Sequence, residues 1–160
     1  MDRLWAPWRI NYIKAKKGGK CIFCKAGREP KGGDYVIFRS RHCLAVLNIF
    51  PYNNGHIMVS PRRHVPDISR LNREESLDLF RSLNRAKKLL EKVMKPEGYN
   101  IGMNIQKSAG AGITGHLHIH IVPRWTGDTN FMPVLSDTRV ICQSLEELHK
   151  LLKNADSKTN

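Results

Sequence analysis

The sequence is short of acid: 14 Asp plus Glu stand against 27 Lys plus Arg in 160 residues, a formal charge of +13. That excess turns the expected partners toward anions, whether nucleic acid, acidic lipid or a small polyphosphate, and a merely solvated basic surface would give the same count. Cysteine is scarce too. Cys21, Cys24, Cys43 and Cys142 are too few and too unevenly spaced for a disulfide scaffold, which points to a reducing cytoplasm. No run reaches the roughly eighteen apolar residues of a membrane span, and Met1 to Trp5 lacks the apolar core of a signal peptide, so no membrane partner is expected. Internal repeats and linkers are missing as well. With 41% apolar and 26% charged residues, the chain reads as one globular domain over 1–160, with an N-terminal arm over 1–20 and a frayed tail over 153–160.

What is present is a succession of short strands around one long helix. The first thirty-odd residues read as irregular, with Trp5 and Trp8 on an arm that docks on the body and a basic loop from Lys14 to Lys20. Tyr35 to Leu47 is β-prone, broken by Ser40-Arg41-His42, and predicts two antiparallel strands; His56 to Ser60 predicts a third, closed by Pro61. Asn72 with Glu75 three residues on is a capping-box signal, and Leu79, Phe80, Leu83, Leu90, Val93 and Met94 follow at helical spacing until Pro96. Tyr99 to Ile105 predicts a strand, Gln106 to Gly115 a loop, Leu117 to Val122 a β-branched strand ended by Pro123, and Leu145 to Leu152 a short helix capped by Ser144. Strands, one helix, then more strands argue for an α+β fold: an antiparallel sheet of about five strands with one long helix and a short C-terminal helix.

The most informative stretch is Gly115-His116-Leu117-His118-Ile119-His120-Ile121-Val122-Pro123. Extended side chains alternate, so His116, His118 and His120 share one face about 6.6 Å apart while Leu117, Ile119 and Ile121 point into a core. Solvation of an edge strand or a three-histidine metal site would use the same spacing. Cys21-x-x-Cys24 alone serves redox dithiols and zinc sites alike. Cys43 and Cys142 sit in apolar runs and read as packing, and His42 and His149 as surface residues.

His116 to Val122 matches His-φ-His-φ-His-φ-φ, with φ apolar, at every position, and the sequence thereby resembles the histidine-triad family. The resemblance extends from about Cys21 to Pro133. Asn48, eight residues before His56, is similar to the family's ribose-contacting Asn and His56 to its buried fourth His. Pro123-Arg124-Trp125, the Ala109 to Gly112 loop and Gly127-Asp128-Thr129-Asn130-Phe131 look most like the diadenosine tetraphosphate phosphorylase branch.

The resemblance implies an enzyme that cleaves a dinucleoside polyphosphate at the α-phosphate through a nucleotidyl-histidine, with His118 as nucleophile and His120 donating to a phosphate oxygen. The residue type suits the task, since a neutral imidazole is nucleophilic near pH 7 and its phosphoramidate is labile enough for water or phosphate to resolve. Phosphate as acceptor would give ADP and ATP, water AMP and ATP; a nucleoside phosphoramidate is the alternative substrate. Gly110 and Gly112 would let backbone N–H groups approach phosphate. Where many members place Gln or Ser before the triad, this chain has Ala111 and Gly112, which leaves Asn104, then Gln106, as phosphate-binding candidates. Trp125 would stack on a base or fill a core edge. His64 and His116 resemble the pair that completes a Cys₂His₂ structural zinc site with Cys21 and Cys24 in related proteins, and a homodimer is implied, its sheet extended across the interface. A zinc-stabilised nucleic-acid-binding module is the reading from another class; the chain has neither an aromatic-rich RNA-binding strand motif nor a helix-turn-helix pattern to support it.

Overall fold

The computed structural model describes residues 21–28, 35–128 and 141–158. The expectations for the 1–20 arm and for Thr129-Asn130-Phe131 lie outside them. Among the described residues the elements run helix α1 (Ile22–Arg28), β1 (Val36–Arg39), β2 (Cys43–Leu47), β3 (Ile57–Pro61), α2 (Arg73–Met94), β4 (Gly98–Gly102), β5 (Ile119–Arg124) and α3 (Leu145–Ser157). The five strands form one sheet in the order β1-β2-β3-β5-β4, antiparallel at every step. The expected α+β architecture is what is found.

The sheet is covered on both faces, which is why β2 and β3 are buried along their whole length. On one face, Cys43, Ala45 and Leu47 of β2, Ile57 and Val59 of β3 and Leu117, Ile119 and Ile121 pack with Leu79, Ala86, Leu89 and Leu90 of α2 and Leu148, Leu152 and Ala155 of α3. On the other, Phe23 and Ala26 of α1 close over Val36, Leu44, Val46 and Met58. Helix α2 begins at the expected capping box: Asn72 accepts from the Glu75 N–H at 2.8 Å and Glu75 accepts from the Asn72 N–H at 3.0 Å. It ends with Lys95 in the left-handed region (φ 49°), just before Pro96.

Four expectations are corrected. The irregular N-terminal reading misses α1, a seven-residue helix with one apolar turn, too short for periodicity to show. Phe80 lies on the outer side of α2, 66% exposed, although it falls in the helical pattern. Helix α3 runs five residues beyond Leu152, and burial of Ala155 together with an ion pair between Asp156 and Arg85 (2.7 Å) holds as helix what reads as a frayed polar tail. Finally, Pro123 does not end β5: it pairs with Tyr99, and its carbonyl accepts from Asn53 Nδ2 at 3.1 Å on the side β3 has already vacated. A residue's N and O point the same way in a strand, so the missing N–H removes no rung.

Gly55 sets the approach to the site. Its φ is +79°, and a Cβ there would lie 2.5 Å from Met94 Sδ, 3.0 Å from Pro123 Cγ and 3.2 Å from Leu90 Cδ2. Left-handed backbone costs a β-carbon about 1–2 kcal/mol and overpacking about 1–3 kcal/mol more. Gly55→Ala should therefore lower unfolding free energy by about 2–5 kcal/mol, read from urea denaturation.

Candidate active site and metal centre

Side-chain alternation at the start of β5 delivers the expected division. His116, His118 and His120 are all buried on the α1 face of the sheet, and Leu117, Ile119 and Ile121 on the α2 face. The Leu117 N–H donates to the Val65 carbonyl at 2.6 Å, which keeps the chain extended ahead of the ladder proper. Phe23 of α1 lies against His116 and His118, with ring centroids 5.2 and 5.1 Å away.

The hydrogen-bond partners assign the protons. His118 Nδ1 lies 2.8 Å from the His116 carbonyl, an acceptor only, so Nδ1 carries the hydrogen and Nε2 keeps a lone pair. His56 Nδ1 receives the Tyr52 N–H at 3.1 Å and Asn48 Nδ2 at 3.2 Å, which places its hydrogen on Nε2. That Nε2 donates to His120 Nδ1 at 2.8 Å, so the His120 hydrogen sits on Nε2. A directed chain results, from the Tyr52 amide through His56 to the Nε2–H of His120, whose ring lies 4.9 Å from that of His118. Burial, reinforced by the charges on His120 and His118, pushes the His56 imidazole down to about 3; burial, reinforced by His118, pushes His120 down to about 4. Both rings are neutral at physiological pH.

Asn48 holds His56 with two hydrogen bonds and the following turn with a third. Its N–H donates to the His56 carbonyl at 2.8 Å, its Nδ2 reaches His56 Nδ1, and its Oδ1 accepts from the Phe50 N–H at 2.9 Å. Tyr52 is a neighbour that sequence reasoning missed: its ring lies 4.6 Å from His56 and 5.6 Å from His120. A lone aromatic in a Pro-Tyr-Asn turn carries no periodic signal, so nothing in the sequence marks it.

The loop before the triad differs from expectation. Gly110 is left-handed (φ 86°), but its N–H donates to the Lys107 carbonyl and that of Ala111 to the Gln106 carbonyl, which leaves only the Gly112 amide without such a bond among the three. Gly110 and Asn104 are neighbours, 3.8 Å from a Cβ position at Gly110 to Asn104 Nδ2. The β4–β5 ladder ends with Gly102 opposite His120, two residues before Asn104. Gln106 and Gly112 are exposed, and among the described residues no hydrogen bond ties the Gln106 side chain to the histidines. Trp125 is half-buried just past β5, its N–H on Asp128 Oδ2 at 3.2 Å. The same carboxylate pairs with Arg124 (2.6 Å) and receives Asn53 Nδ2 (2.9 Å), so the Trp125 turn is tied to the turn that precedes His56.

The third site feature is a cluster in which Cys21, Cys24, His64 and His116 bring one ligand atom each within 4.8 Å of the others. Cys21 precedes α1 and accepts from the Lys25 N–H with its carbonyl, so Cys24 follows on the same helix side three residues later. His116 Nδ1 lies 3.2 Å from Cys21 Sγ, 3.6 Å from Cys24 Sγ and 3.2 Å from His64 Nδ1, and Cys24 Sγ is 3.2 Å from His64 Nδ1. A tetrahedral ion with bonds of about 2.0–2.3 Å has ligand–ligand edges of about 3.3–3.8 Å, close to these separations. The donor set fits a further test: His116 Nε2–H donates to the Pro61 carbonyl at 2.8 Å, which frees Nδ1 to ligate. Gly115 has no side chain to obstruct His64, whose Nε2 would lie 3.2 Å from a Cβ there.

The remaining titratable and thiol groups fall outside these two sites. Cys43 is core, as expected, but Cys142 is exposed and not packing. His149 is not a free surface residue either: it is half-buried, and its Nε2–H donates to the Val36 carbonyl at 2.9 Å. No helix among the described residues is long and apolar enough to cross a membrane.

Comparison with known proteins places this geometry. A HIT domain family model matches residues 31–127. The chain is 37% identical, over 95% of its length and 83% of the relative's, to a Mycobacterium tuberculosis protein named AP-4-A phosphorylase. It is 38% identical to the Schizosaccharomyces pombe bis(5'-nucleosyl)-tetraphosphatase [asymmetrical], over 60% of this chain and 52% of that one. Among solved structures, a zinc-bound histidine triad family protein from Mycobacterium smegmatis superposes with a TM-score of 0.70 at 27% identity, covering 88% of this chain and 95% of that one.

The depressed imidazoles make folding pH-dependent. Unfolded histidines take up protons near 6.5, whereas His120 and His56 do so only near 4 and 3, so in that interval the unfolded state binds more protons. Stability should be fully present above about pH 6.5 and fall as pH drops towards 4. Urea midpoints at pH 7, 6 and 5 should decline in the wild type and decline less in a His56→Gln variant.

Proposed function

The chain belongs to the HIT domain family, and on that footing we propose that it cleaves dinucleoside polyphosphates at the α-phosphate through a covalent nucleotidyl-His118 intermediate, with phosphate as the favoured acceptor. The observation that carries this reading is the tautomer of His118. With Nδ1–H given to the main chain, Nε2 holds the lone pair that attacks phosphorus, and the carbonyl of His116 offsets positive charge as the imidazole takes up the nucleotidyl group. The P–O bond to the polyphosphate leaving group breaks as the Nε2–P bond forms.

His120 completes the chemistry from the other side. Its Nε2–H donates to a non-bridging oxygen, and the proton stays there because His56 occupies Nδ1. Burial keeps this pair neutral, so His120 acts as a fixed dipole and not as a titrating group in the working range. Asn48 and Tyr52 hold His56 in place. In this reading Asn104 and the Gly112 amide are the donors for the remaining phosphate oxygens, Trp125 contacts the base, and Gln106 and Gly110 shape the loop. Phosphate attack on the intermediate turns diadenosine tetraphosphate into ADP and ATP; water attack turns it into AMP and ATP. The identity to a protein named AP-4-A phosphorylase supports phosphate.

The same reading gives Cys21, Cys24, His64 and His116 to a structural zinc ion. Four protein ligands close the coordination sphere, so the metal would supply folding energy and no open position for substrate. The first triad histidine is thereby withdrawn from catalysis. A homodimer belongs to the reading too; β4 is an outer strand of the sheet and carries exposed Ile101.

Two measurements test this. Incubated with diadenosine tetraphosphate, the protein should release ADP and ATP only when orthophosphate is present, and AMP plus ATP in both conditions would make it a hydrolase; His118→Gly should lower turnover by about 10³-fold or more while nucleotide still binds. Metal analysis should find about one zinc per chain, and Cys24→Ser should reduce that content and lower the thermal midpoint.

A further inference from the structure

A cavity of about 420 Å³ opens beside Cys24, between the C-terminal end of α1, the β1–β2 turn and the segment after β3, and none of the residues of the His118 site lines it. Its walls are cationic: Arg28, Arg41, Arg62 and Arg63 converge there with His42, and Glu75 is the carboxylate among them. Glu75 is already committed. It takes Arg63 bidentately at 2.7 Å on each oxygen and the Asn72 N–H at 3.0 Å, so Arg63 and Glu75 cancel. Arg62 gives one Nη2–H to the neutral carbonyl of Gly27 at 3.3 Å. Among the described residues, no carboxylate pairs with Arg28, Arg41 or Arg62.

Three arginines that line one concavity, none of them with a carboxylate partner among the described residues, favour an oxyanion with several acceptor oxygens. Planar N–H forks match the spacing of phosphate oxygens, and a cavity of this size admits a phosphate with part of whatever it is attached to. We propose that this cavity is a second, non-catalytic anion site that binds a phosphate group, either free orthophosphate or the terminal phosphate of a nucleotide, through Arg28, Arg41 and Arg62. His42 stands at its wall with its backbone N–H on Asp78 (2.7 Å) and its imidazole Nε2 turned to Glu74 at 3.7 Å, which leaves the arginines as the recognising groups. Cys24 belongs to both the cavity wall and the metal cluster, so an anion here sits directly behind the metal centre. The proposal does not depend on the catalytic reading.

Amide-resolved NMR titration of the metal-loaded protein tests it, with orthophosphate and then ATP added at constant ionic strength set by chloride. The Arg41, His42 and Arg62 amides should shift saturably with both, and an Arg28→Gln/Arg41→Gln variant should lose about tenfold or more in affinity at these amides while its turnover is unchanged. Equal affinities for the two would identify the site as one for free phosphate, and tighter ATP as one for a nucleotide's terminal phosphate. The proposal is overturned if these amides do not move, if chloride moves them equally, if the double variant binds as the wild type does, or if only a single-stranded RNA oligonucleotide shifts them.

Discussion

The period of two along residues 116–121 is the constraint on which the rest of the site depends. The β3 and β4 ladders pin β5 from both sides, with Ile57 opposite Ile121 and Gly102 opposite His120. A slip of one residue would drive three imidazoles into the apolar layer beneath α2 and put Leu117, Ile119 and Ile121 on the other face. No partial compromise exists between the two registers. Because core burial selects the register, the same interaction that stabilises the sheet also sets the order of the histidines: the Cys/His cluster first, then the two that the proposed mechanism uses as nucleophile and phosphate donor.

Main-chain groups fix the protonation of this row. Pro61 and His116 carbonyls hold one hydrogen each on His116 and His118, and the Tyr52 amide faces a bare nitrogen of His56. Peptide groups do not titrate, so tautomers anchored to them are independent of pH in a way that carboxylate partners would not be. Burial works in the same direction at His56 and His120, where it holds the rings neutral. The resulting electrostatics are preorganised: the hydrogen-bonded ring nitrogens of His118, His56 and His120 have their partners fixed before any ligand arrives.

The two faces of the sheet serve different ends. Helices α2 and α3 supply most of the apolar core, while α1 covers a much smaller patch and at the same time stands over His116 and His118. Seven residues are too few to be helical in isolation. Phe23 in its pocket, the Arg39 guanidinium on the Ala26 carbonyl and the Cys21–Cys24 contribution to the metal cluster hold α1 in place. The segment that stands behind His116 and His118 is therefore the one that an ion in the Cys/His cluster would stabilise most.

Local patterns carry much of this. The capping box at Asn72, the alternation of His116 to Ile121 and the run of short strands are written in nearest neighbours, and each is realised as read because one dominant local interaction decides it. Asn48 and His56 were legible as a pair through the family resemblance, but what Asn48 does for His56 was not, since its three hydrogen bonds to His56 and the turn depend on how residues 48–56 fold back. The continuation of α3 past Leu152, the passage of β5 through Pro123, the turning inward of the Gly110 and Ala111 amides and the stacking of Tyr52 on two histidines were likewise invisible. So were the cavity arginines, which come from three separate stretches of chain. The sequence by itself determined which residues alternate, which helices start where, and which residue types could do phosphoryl chemistry, because those follow from backbone period and side-chain reactivity. Only the tertiary structure decided which nitrogen carries each proton, which thiols meet which imidazoles and which charges go unpaired, because those depend on distances of a few ångströms between segments up to 95 residues apart.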